Sequence, residues 1–486
     1  MSSIKQQTIN SSKWNFLERI SAQGIQFLLG VIMARLLLPS DYGTVGLLAI
    51  FFEISRTFID SGFNSALIRT KNPTEKDYCT VFYFNLIISI FVYTLLFIAA
   101  PGIANFFKIQ VLCPILRVQA VTLIINAIMA VQVSMLNIKL DFKTLAKRRI
   151  TATLLGGICG VSLAYANFGV WSLVCQQIIS AIVNLCFICY ACRWIPKSGF
   201  SKESFNRLGA FGSKLLIAGL LHTLYRNLTT FAIGKFYSAK DLGFYSRGAS
   251  IADLPGSTIN GVLQTVTYPI LAKIQDDESQ LIHIYRKYIR ITSLCIFIVS
   301  GILCAMAKPF ILLILTDKWA ESIIYLQIFA FSYMFDHLST INLNLLKVKG
   351  RSDLFLKLEI IKKTISITLI LLAIPFGIIA ICIAKFAYNQ IAVFINTYYT
   401  GKLFHLGYIQ QVKDFSPYLL CCIIACTPAY LLTFLDLPNL VILIIGSAIS
   451  LLLYWFMLRK NADMKELVNL VKENIKKKKN ENHRQT

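Results

Sequence analysis

The chain has 486 residues, of which 56% are hydrophobic and 15% charged, against about 25% charged in a soluble domain. Its 48 Lys and Arg stand against 24 Asp and Glu, a net charge of +24. This composition excludes a soluble globular fold. Placement must decide whether the charge serves nucleic acid or a membrane topology.

Apolar stretches of about twenty residues recur along the chain. Each is long enough, at about 1.5 Å of rise per residue, for a helix to cross a hydrocarbon core of about 30 Å. About fourteen are predicted, at roughly 14–38, 42–63, 79–100, 113–138, 149–166, 169–192, 211–236, 241–270, 291–307, 320–346, 356–374, 377–400, 417–435 and 438–458. The expected class is an all-α polytopic membrane protein.

Alternate connections are basic. They carry Arg69, Lys71 and Lys76; then Lys139, Lys143, Lys147, Arg148 and Arg149; then Arg193, Lys197, Lys202 and Arg207; then Lys273, Arg286, Lys287 and Arg290; then Lys347, Lys349, Arg351 and Lys357. The other connections hold one or two basic residues or none. Cytoplasmic loops retain Lys and Arg, so the basic side is expected inside, with both termini cytoplasmic in a multi-pass protein of the cytoplasmic (inner) membrane. The polar N-terminus lacks a small-residue cleavage pattern and does not read as a cleavable signal. The tail with Lys476–Lys479 reads as a solvated stop-transfer segment near anionic headgroups, and no nucleic-acid partner is expected.

Most of the thirteen cysteines lie in apolar spans, where a thiol acts as a small hydrophobe. Cys186, Cys189 and Cys192 have cluster-ligand spacing, but on a helix that spacing repeats one face and no fourth ligand is near. Neither a metal nor a cofactor is expected.

The second half echoes the first. Pro39-Ser40-Asp41-Tyr42-Gly43 is matched 200 residues later by Ala239-Lys240-Asp241-Leu242-Gly243, and Glu53, Asp60 and Asn64 by Asp253, Asn260 and Gln264. At 100° per residue each set of three lies along one helix face. Phe168-Gly169 is answered by Phe376-Gly377. An offset of six helices keeps both copies in one orientation, a parallel repeat about an axis along the membrane normal. The expected organisation is a tail (1–12), an N-lobe of helices 1–6 (13–192), a cytoplasmic linker (193–210), a C-lobe of helices 7–12 (211–400), a loop with helices 13–14 (401–458) and a basic tail (459–486).

A charge at mid-bilayer is costly unless paired or facing water, so those inside the spans need a reason. Glu53, Arg56 and Asp60 have ion-pair spacing on one face, which fits either a self-neutralising triad or an arginine tuned by acids. Arg19 and Gln26 lie on the first span, and Arg226, equivalent to Gln26, stands one turn from His222. Asp336 lies deep in the tenth span, and Lys385 and Asn389 share a face of the twelfth. We take Arg19, Gln26, Arg56, His222, Arg226, Lys385 and Asn389 as candidate cavity residues, and Glu53, Asp60, Asp253 and Asp336 as candidate ion-coupling acids. The modest cationic surplus fits a phosphate-bearing anion, which guanidinium grips with two prongs. No nucleophile elbow or zinc-protease motif occurs. Gly209-Ala210-Phe211-Gly212-Ser213-Lys214 lacks the spacing and preceding strand of a phosphate-binding loop. No enzyme activity is expected.

Leu37-Leu38-Pro39-Ser40-Asp41-Tyr42-Gly43 followed by Asp60-Ser61-Gly62-Phe63-Asn64-Ser65-Ala66-Leu67-Ile68 resembles bacterial oligosaccharide flippases of the Wzx type, within the multidrug/oligosaccharidyl-lipid/polysaccharide exporter superfamily. Similar runs follow at Leu140-Asp141-Phe142-Lys143, Phe168-Gly169-Val170-Trp171, Phe211-Gly212-Ser213-Lys214-Leu215, Gly243-Phe244-Tyr245-Ser246-Arg247 and Gly350-Arg351-Ser352-Asp353-Leu354-Phe355, over about residues 10–410. The resemblance implies a V-shaped, two-lobe, alternating-access transporter. It would carry polyprenyl-diphosphate-linked oligosaccharide outward for O-antigen, capsule or exopolysaccharide assembly, with a polysaccharide polymerase and glycosyltransferases as further partners beside membrane lipids. It supplies no agreed site motif. The alternative is an ion-coupled drug or small-molecule antiporter of the same superfamily.

Overall fold

The computed structural model describes residue 21 and residues 23–469, and no strand occurs among them. Arg19 and Lys476–Lys479 therefore lie outside the described residues. The first half comprises α1 (Gln23–Leu36), α2 (Pro39–Asp60), α3 (Phe63–Arg69), α4 (Glu75–Phe107), α5 (Leu112–Gln119), α6 (Val121–Ile138), α7 (Phe142–Tyr165), α8 (Val170–Cys192) and α9 (Lys202–Phe236). The second comprises α10 (Ala239–Lys273), α11 (Glu278–Ala305), α12 (Ala307–Ile314), α13 (Ser322–Tyr333), α14 (Asp336–Val348), α15 (Ser352–Ala373), α16 (Ile378–Phe404), α17 (Tyr408–Leu432) and α18 (Asn439–Leu458), then a short α19 (462–469).

Each of the fourteen expected spans falls on helix over its described residues. Among those residues, nine helical segments are long and apolar enough by composition alone to cross a membrane. The other five spans are α1, α7, α10, the pair α13–α14, and α15. Their hydropathy is diluted by charge at one end, as by Lys143, Lys147, Arg148 and Arg149 on α7, or their length is broken, as between α13 and α14.

The repeat has a structural counterpart. The Asp41 carboxylate accepts the Leu38 N–H at 3.0 Å, and Asp241 accepts the Ser238 N–H at 3.1 Å. Each aspartate closes the first turn of its helix and answers its N-terminal dipole. Gly43 and Gly243 then let the two turns meet. A Cβ on Gly43 would sit 1.6 Å from the Ala239 carbonyl oxygen, and one on Gly243 1.9 Å from that of Pro39. Gly169 and Gly377, the matched glycines, precede α8 and α16 with φ of +53° and +100°, a region that glycine enters without strain.

Packing divides the chain into two compact units, Met1–Gly243 and Phe244–Thr486. Between helices in lipid there is no hydrophobic driving force, so small residues and polar contacts must hold them together. In the first unit α9 lies along α2 on a line of glycines. Gly234 meets Leu47, Gly219 meets Thr57, and Gly212 meets the backbone of Ser61–Gly62. The loop before α9 is tied to the start of α4. Trp194 Nε1 donates to Glu75 at 3.0 Å, the Ser201 N–H donates to Thr80 Oγ1 at 3.0 Å, and Arg207 pairs with Asp77.

The second unit centres on Tyr285, Phe297, Leu338, Ile341, Phe415 and Tyr418. Its polar contacts concentrate at one end. Tyr285, Thr400 and Gln411 all donate to Asn342 Oδ1, at 2.8, 2.9 and 3.0 Å. Arg286 grips Asp414 with two bonds of 2.9 and 2.7 Å, and Arg290 reaches Asp463 at the start of α19 at 3.1 Å. At the start of α15, the Arg351 guanidinium holds the Asp353 carboxyl down at about 2.

Candidate functional site

Two groups of polar residues stand out, one in each unit. In the first, the seam between α2 and α9 is polar at mid-length. Asn227 Nδ2 donates to Glu53 Oε2 at 2.7 Å, and the Thr57 and Thr223 hydroxyls lie 3.1 Å apart. The contacts pair 47 with 234, 53 with 227, 57 with 223 and 62 with 212, so the helices are antiparallel.

That register locates the other candidates. Arg56 precedes Thr57 by one residue, and His222 and Arg226 precede Thr223 and Asn227 by one, each a rotation of about 100°. On antiparallel helices this common rotation carries all three to the same flank of the seam. Asp60, three residues past Thr57, falls on that flank too. Arg56, His222 and Arg226 are exposed, and none has a hydrogen bond or ion pair with a described residue. Exposed charge facing hydrocarbon is expensive.

The Glu53–Arg56–Asp60 triad does not close on itself. Glu53 is the acidic neighbour of Arg56, but its direct partner is Asn227 across the seam. Asp60 instead accepts Asn64 Nδ2 at 2.6 Å. The stripe is interrupted, since Ser61 and Gly62 have φ of +40° and +71° and end α2 before Asn64, which opens α3. The side chain of Gln264, its counterpart in the second copy, lies outside the described residues. Gln26 is exposed on α1, whose later turns pack through Met33 and Leu37 against Ala164 and Leu173.

In the second unit, Asp253, Asp336, Lys385 and Asn389 come together from α10, α14 and α16. Asn389 Nδ2 donates to Asp336 Oδ1 at 3.2 Å and to Ser332 Oγ at 2.9 Å. Lys385 Nζ donates to the Tyr245 hydroxyl at 3.1 Å and lies 5.8 and 5.5 Å from the ring centroids of Tyr245 and Phe329. Asp253 and Lys385 are the charged neighbours of Asp336. His337, adjacent to Asp336, points elsewhere and is buried against Ser293 at 2.8 Å, as a 100° step between neighbours requires.

Sequence reasoning did not single out Thr57, Thr223 and Asn227, nor Tyr245, Ser332 and Tyr333, the last with Lys385, Asp336 and Asp253 as its charged neighbours. For the first set a signal existed. Thr223 and Asn227 have the same i, i+4 spacing in an apolar span as the adjacent His222 and Arg226. The tyrosines carry no such signal, because aromatic residues abound in these helices.

The comparisons with known proteins agree with this architecture. Teichuronic acid biosynthesis protein TuaB of Bacillus subtilis is 24% identical over 356 residues, 73% of this chain and 74% of that one. Lipopolysaccharide biosynthesis protein WzxC of Escherichia coli is 22% identical over 366 residues, 74% of each. Among solved structures, the lipid II flippase MurJ in an inward closed conformation superposes with a TM-score of 0.72 at 15% identity, covering 93% of this chain and 99% of MurJ. A Vibrio cholerae MATE transporter, VcmN, follows the same fold at a TM-score of 0.51 and 12% identity, covering 84% of this chain and 99% of that one. A family model described as polysaccharide biosynthesis protein matches residues 32–324, more than half of the chain, and the protein belongs to that family.

Proposed function

We propose that the protein flips a polyprenyl-diphosphate-linked oligosaccharide across the cytoplasmic membrane by alternating access, for the assembly of a surface polysaccharide. The observation that carries this reading is the flank of the α2–α9 seam. It gathers Arg56, Arg226 and His222, none with a partner among the described residues, in a chain of the polysaccharide biosynthesis family. A sugar headgroup and diphosphate cannot cross hydrocarbon unaided, and a guanidinium pair offers planar, two-pronged contacts to phosphate oxygens.

Residues 13–192 and 211–400 act as the two lobes, 193–210 as their cytoplasmic linker, and both termini are cytoplasmic. In this division α2 and α9 belong to different lobes, although they pack within one compact unit, and alternating access would then open the Glu53–Asn227 and Thr57–Thr223 bonds as the lobes rock. Glu53, Asp60, Asp253 and Asp336 are the candidates for ion coupling, and Arg19 and Gln26 of the first span remain candidate cavity residues. The polyprenyl tail stays in lipid. An apolar cavity of about 350 Å³, lined by Leu419, Cys422, Ile423, Cys426 and Tyr430 of α17 with Phe331 of α13, supports a role for α17 in receiving it. Polymerase and glycosyltransferases are the expected neighbours in the pathway.

The test is transport of a fluorescent polyprenyl-diphosphate oligosaccharide between leaflets of proteoliposomes. Movement of the glycolipid supports the reading. Failure to move it, together with proton- or sodium-driven export of a cationic drug, would establish the antiporter alternative instead.

A further inference from the structure

Lys385 is unusual in its partners. An ammonium offers three donors, and Lys385 uses one, on the neutral Tyr245 hydroxyl at 3.1 Å. No carboxylate lies within ion-pair distance of it among the described residues, although Asp336 is close enough to act through space on Lys385 and on Asp253. Asp336 is meanwhile held by Asn389, one turn further along α16 and on the same face, at 3.2 Å. Lys385 is half-buried and Asp253 exposed. Two acids and an amine in hydrocarbon would be prohibitive, so the cluster borders water rather than lipid.

We propose that Lys385 is a second anion-binding residue, which contacts the diphosphate during transport and is restrained in the empty protein by the competing charge of Asp336, itself beside Asp253. The proposal rests on the flippase reading above. An ammonium on a four-carbon stem can swing between acceptors as a compact point charge. Here it has a weak neutral hydroxyl contact, an acid, Asp336, that attracts it without capturing it, and two donors to spare. A diphosphate brings several anionic oxygens and outbids a single hydroxyl. The acids then set the cost of binding: both repel the incoming anion, and Asp336 retains the ammonium. Asn389 fixes Asp336 so that the carboxylate does not follow Lys385.

The sign of the Asp336 effect separates this role from a structural one. A charge cluster that merely holds the helices together would be weakened by loss of any member. A competitor, once removed, makes the anion bind more tightly. The experiment uses the full-length protein in phosphatidylcholine nanodiscs with farnesyl diphosphate as probe, and inorganic pyrophosphate and farnesol as reference ligands. Lys385→Gln should weaken farnesyl diphosphate binding by about tenfold while Lys385→Arg retains it. Asp336→Asn should tighten it about threefold or more. Asp253→Asn should do the same from an exposed position if Asp336→Asn does not fold. Pyrophosphate should follow the same order more weakly, and farnesol should not respond to any of these changes.

Unchanged binding by Lys385→Gln, or weakened binding by a folded Asp336→Asn or Asp253→Asn, would overturn the proposal and leave the flippase reading standing. Absence of farnesyl diphosphate binding by the unmodified protein would overturn both.

Discussion

The carboxylate of Glu53 on α2 accepts a 2.7 Å hydrogen bond from the amide of Asn227 on α9, joining helices that the internal repeat assigns to different copies. A charge in a membrane span is thereby satisfied by a partner 174 residues away, and not by the arginine three positions along its own helix. One turn on, Thr57 and Thr223 repeat the contact with neutral groups.

Locking that seam should stop transport. Thr57→Cys with Thr223→Cys, in a background whose native cysteines are replaced, should cross-link under oxidation, because the two hydroxyls are 3.1 Å apart. The cross-linked protein should lose glycolipid movement and regain it on reduction. Full transport by the cross-linked form would show that the seam never opens.

Removing Arg226 should separate function from stability. With no ion-pair partner among the described residues, Arg226→Ala should change stability by less than about 0.5 kcal/mol. Yet it should fail to restore surface polysaccharide in a flippase-deficient strain, with normal membrane abundance on a blot. Arg226→Lys keeps the charge without the planar grip and should restore it in part. Complementation by the alanine variant at the wild-type level would remove Arg226 from the mechanism.

Gly43 and Gly243 should not tolerate a methyl group in the packing described. A Cβ at Gly43 would lie 1.6 Å from a backbone oxygen, which cannot rotate away. Gly43→Ala should therefore cost about 1–3 kcal/mol and lower the thermal midpoint of the purified protein by several degrees. Gly102→Ala, where nothing lies within 4 Å, is the control and should leave the midpoint unchanged. Equal midpoints for both variants would contradict the turn-to-turn contact.

Topology is testable at two lysines. A cysteine replacing Lys147 should react with an impermeant maleimide only when the cytoplasmic face is open, and one replacing Lys318 should react on intact spheroplasts. Reaction of both from one side would refute the fourteen-span arrangement.

Much of the fold was legible because hydrocarbon admits few solutions. Twenty apolar residues between polar loops specify a helix wherever they occur, and the expected spans fall on helices from α1 to α18. The repeat was legible because Asp41 and Asp241, and the paired glycines beside them, are demanded by geometry. Interruptions were not legible. The break at Ser61–Gly62 and the one between α13 and α14 lie inside apolar runs and depend on tertiary contacts, such as Gly62 against Gly212, that no local pattern announces. Site residues were legible as isolated polar groups but not as partners. Spacing on one helix paired Arg56 with Glu53, whereas packing gave Glu53 to Asn227. Lys385 and Asn389 shared a face as expected, but only packing placed Asp336 and Tyr245 beside them.

The ties that bind the stretch before α9 to α4 restrict how α9 moves. Trp194 on Glu75, Ser201 on Thr80 and Arg207 on Asp77 fix its foot, so the helix cannot slide on slack chain. It is a lever with an anchored fulcrum. Any parting from α2 has to be taken up by flexure along its own length, and its first half carries Gly209, Gly212 and Gly219, where bending meets the least resistance from side chains.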